Sequence, residues 1–158
     1  MTRLWGALLW SVFLLLSLFL HGREEKRRLS EYQGLCHLLL HVKGALARAP
    51  EPLSVIFADF SDEALARASF LSLLREKGLS YALKSGVLHL EKADLQLFER
   101  YAASLGKRLY VEEKAAVDNT LLKAEEILSK KEAAYPKNRR LSGTLFFTGG
   151  MLVLLLLL

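Results

Sequence analysis

Hydrophobic and polar positions divide the chain into three parts. From Leu4 to Leu20 and again from Leu141 to Leu158 no residue carries a charge, whereas between the two runs charges recur every few positions. The second run has eighteen residues, eight of them Leu, which meets the length of a membrane-spanning helix. At 1.5 Å per residue it reaches about 27 Å, against a hydrocarbon thickness of about 30 Å. Its eleven Leu, Phe and Val residues contribute roughly −3 to −7 kcal/mol to insertion. The first run has Trp5 near one edge and a basic cluster beyond the other. Only Arg3 serves as a positive leader and "LFLHGR" offers no small-x-small cleavage site, so an uncleaved span is expected over a secretory signal peptide. The expected organisation is an N-terminal transmembrane helix over 1–22, a helical domain over 23–140 and a C-terminal transmembrane helix over 141–158.

In the middle segment the apolar period is that of helices. Leu29, Tyr32, Cys36, Leu39 and Leu46, with Val42 or Lys43 between, recur at three and four, and this helix can run straight out of the first span. Pro50 and Pro52 break it, and Pro52 suits the first turn of a short new helix. "SDEALARASFLSLLREKG" predicts one helix with Ser61 or Asp62 as N-cap and Gly78 as stop. "LSYALKSGVLHL" reads as a short helix ending at Gly86, with a β-hairpin around Ser85 and Gly86 as the competing form. Leu95, Phe98, Tyr101 or Ala102 and Leu105 make the face of a further helix closed by Gly106. The last helix, from about Val111 to Ala134, repeats Val117, Leu121, Ala124 and Leu128, and Pro136 is expected to end it. The fold class is all-α: a helical bundle flanked by the two spans.

Charge adds an orientation. Of 22 Lys and Arg residues, 21 lie between the apolar runs, and they crowd both junctions: Arg23, Lys26, Arg27 and Arg28 after the first, Lys130, Lys131, Lys137, Arg139 and Arg140 before the second. The positive-inside bias places that segment in the cytoplasm and both termini outside. Against 17 acidic residues the segment carries only +4, and it lacks a basic stripe interleaved with aromatics. Contact with membrane lipid is expected, and nucleic-acid binding is not. A single cysteine, Cys36, leaves no internal disulfide and fits a reducing compartment.

Candidate chemistry is sparse. No G-x-x-x-x-G-K-[ST] loop is present, so any energy-driven process must draw on a partner's motor. His37 and His41 lie four apart beside Cys36, but "LLL" between them lacks the glutamate of H-E-x-x-H and no third ligand suggests itself. The acidic pairs, such as Asp62 with Glu63 and Glu112 with Glu113, stand among Lys and Arg and read as solvated surface. No enzyme, cofactor or metal is expected. In the second span Gly143 and Gly150, seven apart, lie nearly on one face with Ser142 and Gly149, a pattern that permits close packing of membrane helices.

The carboxyl end carries Thr144, Leu145, Gly149, Gly150, Leu152, Val153, Leu155 and Leu156 in one run. On these residues the chain resembles the stage III sporulation protein AB family, similar in turn to the helical domains of the type II secretion inner-membrane platform protein F. That family's end reads T-L-G-L-L-G-G-L-L-L-V-I-L-L, which Thr144, Leu145, Gly149, Gly150, Leu152 and Leu156 match in register, while Val153 and Leu155 stand where it has Leu and Ile. Pro50, Pro52 and Leu53 loosely match a Pro-x-Pro-Leu turn, and Leu95, Leu97, Phe98, Leu105 and Gly106 an L-L-x-x-F-G-x-x-L-G stretch. Ser142, Gly143, Phe146, Leu109 and Glu113 depart from the family's usual residues.

The resemblance implies a non-enzymatic platform component of the channel between mother cell and forespore. Its partners would be a cytoplasmic sporulation ATPase, stage III sporulation protein AA, and other stage III sporulation membrane proteins. An oligomer is expected, with Lys130 and Lys131 as the candidate docking residues. Two other readings stay open: a bitopic helical scaffold or regulator unrelated to secretion, assembling through the Val117 to Leu128 seam, and an exported, tail-anchored helical domain.

Overall fold

The computed structural model describes the backbone of residues 2–48 and 51–157. It describes the side chains of 22–48 and 51–136 together with 12, 13, 16, 17, 20 and 144. Every regular element among the described residues is an α-helix: α1 (Thr2–Arg48), α2 (Leu53–Asp59), α3 (Glu63–Arg67), α4 (Phe70–Lys77), α5 (Leu79–Lys84), α6 (Lys92–Ser104) and α7 (Tyr110–Leu157). The chain falls into two compact units, one of Met1–Lys26 with Lys130–Leu158 and one of Arg27–Ser129. Among the described residues no helix is long and apolar enough to cross a membrane. The runs 4–20 and 141–158 have most of their side chains outside the described residues, as do Ser142, Gly143, Gly149 and Gly150.

The core belongs to the unit of Arg27–Ser129. On α1 the buried face is broader than the predicted stripe: Leu35, Leu38 and Ala45 join Tyr32, Cys36, Leu39, Val42 and Leu46. Val42 holds the interior position, and Lys43 instead reaches Asp118 of α7 at 2.9 Å. The Tyr110 hydroxyl, at the start of α7, donates to the Leu46 carbonyl. Contacts 43 to 118 and 46 to 110 run in opposite senses, so α1 and α7 are antiparallel here. Val117, Leu121 and Ala124 of α7 are buried in the same core.

The short helices pack on α1 through a cap. Asp62 Oδ1 accepts from the Ala64 and Leu65 amides at 3.0 and 3.1 Å, the N-cap predicted for this segment. Its Oδ2 accepts from His37 Nδ1 of α1 at 3.1 Å. Opposite this cap stands Gly34, where an added Cβ would lie 2.8 Å from both Asp62 Oδ1 and Leu65 Cγ. A residue without a side chain is what lets α1 and α3 come this close.

Two expectations are corrected. The single helix predicted over "SDEALARASFLSLLREKG" is two, α3 and α4, because Ser69 turns left-handed at φ 59°. Leu65 and Leu74 are nine residues apart, about two and a half turns, so a straight helix would put them on opposite sides. Both are buried, and the break is what brings them into one core. Pro136 also fails to end the last helix, since α7 continues through it. The proline removes one amide donor, the partner of the Glu132 carbonyl. Glu132 and Pro136 are exposed, so the missing helical bond buries no polar group and the break is tolerated. Gly78, at φ 81°, stops α4 as predicted, and "LSYALKSG" takes its helical form as α5.

Candidate functional site

The residues singled out for metal binding have other engagements. His41 Nε2 donates to the Ile56 carbonyl at 3.0 Å with its ring 5.4 Å from that of Phe60, while His37 serves the Asp62 cap. Among the described residues no group of three His, Cys, Asp or Glu can hold a metal. Of the acidic pairs, Asp62 is a cap and Glu113 is buried, where solvated surface was expected. Lys130 and Lys131 both lie in the unit that contains the chain's two ends, and each is engaged by a neighbouring group.

Two buried glutamates stand out. Glu31 on α1 is 1% exposed. Its Oε2 accepts the His89 amide at 2.6 Å, and its Oε1 accepts Arg27 Nε at 3.1 Å and His89 Nδ1 at 3.2 Å. Because a carboxylate only accepts, the His89 proton on this side is on Nδ1. The arrangement ties the turn after α5 to α1, and Arg28 with Glu91 at 3.3 Å adds an exposed second link. Glu113 on α7 is 5% exposed. One of its oxygens accepts the Gly106 amide at 3.3 Å, and the other is buried beside the Tyr101 hydroxyl, itself buried. Burial, and then the Glu113 carboxylate, push the Tyr101 phenol well above its ordinary value.

Directly beside Tyr101 lies a groove of about 290 Å³ between α6 and α7. One wall is Leu97, Arg100, Tyr101 and Ser104, spaced as one face of α6. The other is Ala116, Asn119, Thr120 and Lys123, the same spacing on α7, and Arg108 in the connecting turn also lines it. No carboxylate lines it. Arg100, Arg108 and Lys123 are exposed, and among the described residues none of them forms a salt bridge. Ser104 and Thr120 spend their hydroxyl protons on the carbonyls of Tyr101 and Ala116, at 3.0 and 2.7 Å.

Sequence reasoning missed Glu31 and this groove, and read the buried Glu113 as surface. A signal existed for the glutamates: positions 31, 35, 38, 42 and 45 share one helical line, as do 113, 117, 121 and 124, so each acid stands in an otherwise apolar register. Nothing local announces the groove, whose walls belong to different helices. Comparison with known proteins finds no family model, no curated protein and no solved structure that matches the chain.

Proposed function

We propose that the protein is a non-enzymatic membrane platform: segments 1–22 and 141–158 anchor it, the helical domain lies in the cytoplasm, and that domain docks a cytoplasmic ATPase. The observation that carries the anchoring is on α1. Val12, Phe13, Leu16 and Leu20 are each more than half exposed, and 12, 16 and 20 follow one line along the helix. Moving such side chains out of water is favourable by about 1.5–3 kcal/mol each, and an exposed apolar stripe marks a surface meant for another apolar phase. The cluster of basic residues just beyond this stripe suits anionic headgroups. The sporulation setting and the ATPase, stage III sporulation protein AA, enter through the resemblance at the carboxyl end.

The alternative of a scaffold assembling through the Val117 to Leu128 seam has less support. Val117, Leu121 and Ala124 are already buried in the chain's own core, so self-association would need another surface.

Alkaline carbonate extraction of cells expressing the full chain tests the anchoring: the chain is expected in the membrane pellet, and release into the supernatant overturns it. Docking is tested with full chain in detergent and purified ATPase. Lys130→Glu with Lys131→Glu is expected to weaken the complex about tenfold or more, as lost charge-assisted contacts do. An unchanged affinity takes those lysines out of the interface, and no complex with the unaltered chain overturns the platform reading.

A further inference from the structure

The groove between α6 and α7 has the character of a ligand site, independently of how the chain is anchored. We infer that it binds a small phosphate-bearing anion through Arg100, Arg108 and Lys123. Three cations from two helices and their connecting turn line one concavity, with no acid in its lining and, among the described residues, no salt bridge to neutralise them. Like charges held together disfavour one another, and a multivalent anion relieves that repulsion at all three. A single carboxylate would leave two cations unmatched. Guanidinium groups offer planar forks that match phosphate oxygens in pairs, and an ammonium adds a mobile point charge. Asn119 supplies amide donors on the same wall. Glu113, which acts on the Tyr101 of its lining, is itself buried with one oxygen on the Gly106 amide and does not line the groove. At about 290 Å³ the space lies at the small end of ligand pockets, the size for a diphosphate or small phosphorylated molecule.

The phosphate can be free or part of a lipid headgroup, and one calorimetric series separates the two. Pyrophosphate is titrated into the full chain held in nanodiscs of phosphatidylcholine, and again in nanodiscs that include phosphatidic acid. Saturable binding to one site per chain is expected in the first. Equal affinity in the second assigns the groove to soluble phosphate, and competition by the acidic lipid assigns it to headgroups. Arg100→Gln and Lys123→Gln, both at exposed positions, are each expected to weaken binding about tenfold or more with helicity by circular dichroism unchanged. Lys84→Gln, the same change of charge outside the groove, is expected to leave affinity as it was. Absence of saturable binding, or equal losses from Lys84→Gln and Arg100→Gln, overturns the proposal.

Discussion

Glu31 and Glu113 are the same residue type, each on a long helix, each in line with an apolar face and each almost without solvent, yet their surroundings differ. Around Glu31 three donors converge, one from the chain's own helix and two from His89, so the buried charge is matched and joins two distant parts of the sequence. Around Glu113 one amide answers one oxygen, and the other oxygen faces a buried phenol. A buried carboxylate with all its donors acts as a clasp. One with few donors projects its charge onto its neighbours, here raising the Tyr101 phenol behind a groove of cations.

Removing each acid should therefore have unequal consequences. Glu31→Ala strands the His89 amide and empties a buried site, with an expected loss of about 2–4 kcal/mol in chemical denaturation. A loss below about 1 kcal/mol would show that the clasp is not a principal tie. The next effect is one of pH. Tyr101 and Tyr32 are both held above the ordinary phenol value of 10.0, chiefly by burial, with Cys36 and Asp94 adding to the shift at Tyr32. Above pH 10 the unfolded chain loses these protons while the folded chain keeps them. The folded state then binds more protons, and stability falls as pH rises. Below that pH the two tyrosines leave stability level. Tyr101→Phe should make the alkaline fall shallower, and an identical slope in denaturation from pH 9 to 12 would contradict the buried-phenol account. Smallest is Glu113→Gln, expected to change stability by less than about 1 kcal/mol, because few contacts are lost and a poorly matched charge leaves with them. Its more telling readout is the phenolate absorbance, in which the Tyr101 transition should move to lower pH.

Local signals in the sequence carried far. The Asp62 cap, the Gly78 stop and the 117, 121, 124 seam each depend on residues within a turn or two of one another, and each stands as the pattern predicts. The terminal apolar runs are equally plain as pattern, and their span readings fall mainly on side chains outside the described residues. The 62–77 segment shows where local reasoning stops. Its propensities favour one helix, yet Leu65 and Leu74 reach the same core only through a left-handed Ser69. At Pro136 likewise a strong local breaker lost, since the exposed turn tolerates one missing hydrogen bond.

By itself, then, the sequence determined that the chain is helical, where several helices start or stop, much of the apolar face of α1, α6 and α7, and that both ends are greasy and basic-flanked. Tertiary structure alone decided which acids lie inside, which histidine meets which acceptor, and that the faces 97–104 and 116–123 meet around three cations. The reason is range. Caps, turns and periodicity are set by neighbours a few residues away, whereas a buried charge or a groove is defined by groups that only packing brings together, such as Glu31 with His89 across 58 positions.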